Sequence, residues 1–112
     1  MTISSDLLRG YTDAIILKCL SRRDSYGYQI SKEVSTLSGG RLELKEATLY
    51  TAFRRMESAG YIRSWWGDET VGARRRYYSL TDAGRVKLAE EIQAWWETRA
   101  VLNRLLEGEE EE

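Results

Sequence analysis

From Asp6 to Arg22 the apolar residues Leu7, Leu8, Tyr11, Ile15, Ile16, Cys19 and Leu20 recur at helical spacing. Ala14 and Leu17 widen the apolar arc, which predicts a helix covered on two sides. Asp24 and Ser25 offer N-cap oxygens to a second helix, in which Tyr26, Ile30, Val34 and Leu37 recur at four, four and three. Ser38, Gly39 and Gly40 stop it. After a short extended stretch, RLELK, a third helix is predicted from Glu46 to Ala59, with Leu49, Ala52, Phe53 and Met56 as its buried stripe. At about 100° per residue the opposite face carries Ala47, Thr51, Arg54 and Ser58, flanked by Thr48, Tyr50 and Arg55. That outward face is small, polar and basic. Gly60 ends the helix, and two β-rich segments, YIRSWW and RRRYYSL, follow with GDETVGA between them, the pattern of a hairpin.

Thr81 is the predicted N-cap of a last helix, Asp82 to about Glu107, which spans about 39 Å at about 1.5 Å per residue. Its stripe of Leu88, Ile92, Trp95, Arg99, Leu102 and Leu106 alternates four and three, a heptad seam with one polar interruption at Arg99. Three shorter helices cannot cover that length, so the predicted partner is a second copy of the chain. Leu7, Leu8, Leu88, Ile92, Trp95, Leu102 and Leu106 are the residues expected at that interface. Trp95 lies on the seam and its neighbour Trp96 points about 100° away, onto the flank. Trp65 and Trp66 alternate on the first hairpin strand, which predicts one ring packed inward and one half exposed.

These elements predict a mainly α fold with a small β-hairpin: a winged helix-turn-helix over residues 1–81, a dimerisation helix over 82–107 and a disordered acidic tail over 108–112. In that architecture the third helix enters the major groove of double-stranded DNA. Thr48 and Thr51 then offer hydroxyls or methyls to base edges, Arg54 and Arg55 reach guanine or phosphate, and Tyr50 offers a phosphate-directed hydroxyl. The hairpin presents Arg74, Arg75 and Arg76, a cluster suited to phosphate oxygens and a narrow minor groove. Strand alternation puts Arg76 with Tyr78 and Leu80 on one face and Arg75 with Tyr77 and Ser79 on the other. Arg74 and Arg75, nearest the tip, are the favoured contacts. The competing expectation is a solvated tip whose arginines pair with Asp68 and Glu69 across the same turn.

Composition agrees with a single folded domain of 112 residues: 42% hydrophobic and 31% charged, with four Trp and seven Tyr as large burial units. The formal net charge of -1 hides an uneven distribution, because Glu107 and Glu109 to Glu112 hold five of the eighteen acids. Residues 1–106 carry 17 basic against 13 acidic side chains, a net of +4. A basic body suits a nucleic-acid partner. The lone Cys19 sits among apolar neighbours and reads as a buried, inert thiol. No run approaches the roughly 18 apolar residues of a membrane span, and no leader pattern opens the chain, so a cytoplasmic protein is expected. With no His, no phosphate loop and no nucleophile beside a base, neither an enzyme nor a metal or cofactor site is expected. The alternative function is a winged-helix module that binds another protein and no DNA.

The segments RGYTDAIILKCL, YGYQI, SGGRLELKEATLYTAFRRMESAGYI and RRRYYSLTDAGR resemble the PadR family of bacterial transcriptional regulators over about residues 7 to 90. The single long C-terminal helix resembles the short-tailed branch of that family. The resemblance implies a homodimeric repressor of an inverted-repeat operator, often at its own promoter, released when a small molecule binds. It also implies that Thr48, Leu49 and Tyr50 open the recognition helix and that Arg74 to Arg76 belong to the wing. Members of the branch hold flat aromatic or cationic compounds between subunits, which implies ligand contact by Trp96 and, second, by Trp95. Three positions depart from the family pattern: Thr51 where Pro is frequent, Tyr26 where His is common, and Lys45 where a small hydroxyl residue is usual. Lys45 is a weaker helix cap and a better phosphate ligand.

Overall fold

The structure, a computed structural model, describes residues 2–4 and 6–108. A short 3-10 turn, Arg9–Tyr11, leads into α1 (Thr12–Arg22); β1 (Ser25–Tyr26), α2 (Gly27–Leu37), α3 (Glu46–Ser58), β2 (Ile62–Trp66), β3 (Arg76–Leu80) and α4 (Asp82–Glu107) follow. The strands form one antiparallel sheet in the order β1-β3-β2. Ile62 stands opposite Leu80 at the base of the β2–β3 hairpin and Trp66 opposite Arg76 toward its tip. Among the described residues no helix is long and apolar enough to cross a membrane. The predicted acidic tail lies outside the described residues from position 109 on.

The core is the meeting point of the predicted stripes. Ile16, Leu17 and Leu20 of α1, Ile30 and Val34 of α2, and Leu49, Ala52, Phe53 and Met56 of α3 close over Ile62, Tyr78 and Leu80 of the sheet. Phe53 stacks on Tyr78 with ring centroids 4.0 Å apart, and Tyr50 meets the Phe53 ring edge-on at 5.8 Å. Leu42 and Leu44, alternate residues of the extended RLELK stretch, are both buried and pin the entry to α3. At the exit of α3 the Tyr61 N–H donates to the Met56 carbonyl and the Gly60 N–H to the Glu57 carbonyl. That pattern requires the left-handed backbone that Gly60 adopts at φ 87°.

Three local expectations change. The first helix begins at Thr12 instead of Asp6, because the Tyr11 N–H donates to the Leu8 carbonyl, a three-residue bond that tightens the chain around Gly10. Asp24 and Ser25 do not cap α2: Tyr26 occupies the N-cap without a side-chain bond. Ser25, fully buried, pairs with Tyr78 in β1 and donates from Oγ to the Arg23 carbonyl, so sheet pairing has claimed the capping residue. Neither Trp65 (38% exposed) nor Trp66 (53%) packs into the core. Trp65 instead stacks on Tyr77 at 6.1 Å, under the Arg63 guanidinium.

Cys19 is 2% exposed, and burial pushes its thiol pKa up to about 11. A thiol with that pKa is almost wholly protonated at neutral pH. Labelling of the native protein by iodoacetamide at pH 7.5 is therefore expected to be slower by at least about 100-fold than labelling in denaturant; equal rates would contradict the burial.

α4 opens as predicted, with Thr81 Oγ1 accepting from the Gly84 N–H at 3.0 Å. Its first turns belong to the core of the single chain, through Gly84 and Leu88. Leu88, assigned to the dimer seam from its heptad position, is 7% exposed within one chain and already covered, so that assignment is corrected. Ile92 and Leu8 are partly buried against the same core. Beyond Ile92 the helix leaves the domain: every residue from 93 to 108 is exposed.

Candidate nucleic-acid interface

α3 turns Leu49, Ala52, Phe53 and Met56 inward, which leaves Ala47, Thr48, Tyr50, Thr51, Arg54, Arg55 and Ser58 on one continuous outward face. Small side chains at its first turns leave the backbone accessible, and the arginines follow one turn later. Lys45, also exposed, stands at the N-cap in extended conformation with no side-chain cap bond.

The sheet brings the hairpin beside this face. A groove of about 820 Å³ runs between α3 and the wing, with Tyr50, Arg54 and Glu57 on one wall and Trp66 with Arg74 to Arg76 on the other. Within it the three wing arginines differ in what already holds them. Arg74 donates from Nε to the Gly67 carbonyl at 2.8 Å, across the mouth of the hairpin. Arg75 sits over the Tyr26 ring at 4.7 Å, its backbone N–H donates to Glu69 Oε1 at 3.1 Å, and its guanidinium lies 3.7 Å from the same carboxylate. Arg76 lies over Trp66 at 5.2 Å, with no carboxylate paired to it among the described residues. Arg75, one of the two favoured contacts, is thus the arginine that pairs across the turn, through Glu69, as the competing expectation had it.

Glu69 organises the wing. Its carboxylate accepts from Tyr77 Oη at 2.8 Å as well as from the Arg75 N–H, and these bonds hold its pKa below the usual carboxylate range. The Tyr77 hydroxyl, donating to that anion, is pushed up, and the Arg75 guanidinium is raised by its contact with the Tyr77 hydroxyl and by the nearby acid. Tyr77 in turn meets Tyr26 edge-on at 5.4 Å.

The other flank of α3 holds residues that periodicity did not single out. Arg9 and Thr12 join Ala47, Thr48, Thr51 and Arg55 around a shallow hollow of about 320 Å³. Arg55 forms a two-pronged ion pair with Asp13 of α1, one prong from Nη2 to Oδ1 at 3.1 Å and a second from Nη1 to Oδ2. This pairing raises the Arg55 pKa. Forty-two residues separate the partners, so no local pattern announces it. Of the nine residues predicted to face nucleic acid, the fold thus places Arg54, Tyr50 and the wing arginines around one groove. Thr48, Thr51 and Arg55 border the opposite hollow. Trp66, the platform under Arg76, was missed because alternation alone offered no reason to prefer it to Trp65.

The arrangement as a whole can engage a polyanion along α3, which is flanked by two sets of cations. Among the described residues no group of acids, Cys or His could hold a metal ion. Known proteins share this fold. A transcriptional regulator from Clostridium thermocellum is 43% identical with a TM-score of 0.86, over 91% of this chain and 99% of that one. A PadR family transcription regulator from Clostridium difficile is 41% identical with a TM-score of 0.75, over 86% and 98% of the two chains. A protein of Lysinibacillus sphaericus described as uncharacterized is 38% identical over 106 residues, 95% of this chain and 97% of that one. The sequence matches the transcriptional regulator PadR-like family across residues 16–90. The chain belongs to that family, and it is a DNA-binding transcriptional regulator of the winged helix-turn-helix class.

Proposed function

We propose that the protein is a homodimeric repressor that binds an inverted-repeat operator through α3 and the wing and is released by a small flat aromatic ligand held beside Trp95. One observation carries the dimer: the part of α4 that projects from the domain bears Trp95, Trp96, Val101, Leu102, Leu105 and Leu106, all exposed in the single chain. Leu106 is 80% exposed and Trp95 40%, surface that a second α4 would cover at the knobs-and-holes spacing of the seam. Val101 and Leu105 widen the predicted interface beyond Trp95, Leu102 and Leu106. Leu8 lines the groove that α1 shares with Ile92 and Trp95 of α4, and its neighbour Leu7 is largely exposed. A two-fold axis along α4 would present two copies of α3 to successive major grooves, roughly 34 Å apart.

The ligand reading rests on a groove of about 470 Å³ between α1, α2 and the middle of α4, lined by Leu8, Tyr11, Ile15, Val34, Ile92 and Trp95. Size and apolar lining suit a small aromatic molecule. Trp95 lines it and Trp96 does not, which favours Trp95 as the first ligand contact. Trp96 packs edge-on against the Trp95 ring at 4.9 Å and backs it.

The test uses the duplex upstream of the protein's own gene. Sedimentation at micromolar concentration is expected to give a dimer, and operator affinity is expected to fall steeply and linearly in log–log form as salt rises, through counterion release. The double variant Leu102→Glu/Leu106→Glu should sediment as a monomer with unchanged helical circular dichroism and lose operator binding. A wild-type monomer, or affinity flat with salt, would refute the proposal.

A further inference from the structure

Two acids stand inside the basic surface that α3 and the wing present. Asp13, in the first turn of α1, takes both terminal nitrogens of Arg55, and Glu69 in the hairpin lies 3.7 Å from the Arg75 guanidinium. The two arginines stay half exposed, 56% and 50%, whereas the side chains of Asp13 and Glu69 are only 30% and 21% exposed. A partner arriving from solvent therefore reaches the cations more readily than the acids that hold them. Arg54 and Arg76, which line the groove between α3 and the wing, make no ion pair among the described residues.

Each acid is also stabilised by something other than its guanidinium. Asp13 lies at the positive end of the α1 dipole. Glu69 accepts from Tyr77 Oη at 2.8 Å and from the Arg75 backbone N–H at 3.1 Å, and neither bond involves the Arg75 side chain. Either carboxylate can thus release its arginine and stay ionised. Exposed pairs of this kind hold their partners by only a small factor, and a DNA phosphate offers a guanidinium the same two-pronged geometry as a carboxylate. The exchange still has a cost, because the freed carboxylate then stands beside the phosphates as a like charge.

Resting on the reading of α3 and the wing as the DNA-binding surface, we infer that Asp13 and Glu69 are affinity-determining residues: resident anions that compete with DNA phosphate for Arg55 and Arg75 and hold affinity below what the cations alone would give. Phosphate is the same along any duplex. The two acids therefore restrain binding to DNA at large, which a regulator must leave in order to find its operator.

Fluorescence anisotropy with two labelled duplexes of one length, the sequence upstream of the protein's own gene and a random sequence, tests this over a range of salt. Asp13→Asn and Glu69→Gln keep the shape of each side chain and remove its charge. Each is expected to bind both duplexes about fivefold tighter than wild type, since a dimer carries each pair twice, with a steeper fall in affinity as salt rises. Asp68→Asn removes an exposed charge next to Glu69 that makes no ion pair among the described residues, and it should gain less than about twofold. The gain should also depend on the arginine: Asp13→Asn added to Arg55→Ala, and Glu69→Gln added to Arg75→Ala, should change affinity no more than Asp68→Asn does. The two acids lie on separate elements, so a fold defect in one variant, seen by circular dichroism, leaves the other decisive. Variants that bind no tighter than wild type, a gain that persists in the alanine backgrounds, or a gain on one duplex only would each overturn the competition while leaving the DNA-binding surface in place. If wild type binds neither duplex even at low salt, the reading of that surface falls as well.

Discussion

Gly84→Ala is expected to destabilise the domain, although helix propensity alone argues the opposite. Gly84 lies in the first turn of α4, where alanine favours the helix by about 1 kcal/mol over glycine. A Cβ at this position, however, would stand 2.0 Å from the Tyr61 carbonyl oxygen and 2.8 Å from Leu80 Cδ1. The Leu80 methyl can rotate away, but the carbonyl cannot. It is fixed by the Gly60 turn behind it and accepts from the Thr81 N–H at 3.1 Å, while Thr81 Oγ1 donates to the Gly60 carbonyl at 2.7 Å. Relief of the clash requires α4 to lift from the sheet, which loosens the Thr81 cap and the packing of Leu88. Overpacking of this kind costs about 1–3 kcal/mol and a forced backbone shift adds to it, so the net loss should be about 2 kcal/mol. For a domain of this size the melting temperature should drop by roughly 10 °C, read by circular dichroism. A Gly84→Ala protein as stable as wild type, or more so, would mean that α4 does not dock this closely.

Arg54→Ala/Arg76→Ala is expected to lower operator affinity by about three orders of magnitude or more. Each well-placed arginine interaction with DNA is worth about 1–3 kcal/mol, and in the proposed dimer the double change removes four. Both side chains border the groove between α3 and the wing, and neither makes an ion pair within the fold among the described residues, so the native structure should survive. The slope of log affinity against log salt should also shrink, by about one for each phosphate that the variant no longer neutralises. Arg55→Ala and Arg75→Ala should do less. Arg55 must leave Asp13, and Arg75 must leave Glu69, before either meets DNA, and that exchange offsets much of the gain. Fluorescence anisotropy on a labelled operator duplex measures the double variant and both single ones; an Arg54→Ala/Arg76→Ala affinity within about threefold of wild type would remove α3 and the wing as the DNA-binding surface.

α3 was legible because its two faces differ at a single periodicity: Leu49, Ala52, Phe53 and Met56 are buried and the residues between them stay outside. The Thr81 cap and the lone buried thiol were legible for a similar reason, since each depends on immediate neighbours along the chain. β1 was not, because a two-residue strand has no pattern of its own and exists only through its pairing with Tyr77 and Tyr78, some fifty residues away. Leu88 shows the limit of a heptad reading. Spacing identifies which side of α4 is apolar, but not whether the domain or a second copy covers a given turn.

Local periodicity, caps and turns thus determined the order of helices, the hairpin and the exposed basic face, since those follow from interactions reaching only a few residues. The availability of each arginine, the pairing of Arg55 with Asp13, the grip of Glu69 on the wing and the stacking of Arg99 over two indoles were settled by the tertiary structure. Electrostatic and aromatic contacts act through space, and residues far apart in sequence reach contact distance only after the apolar stripes have closed on one another.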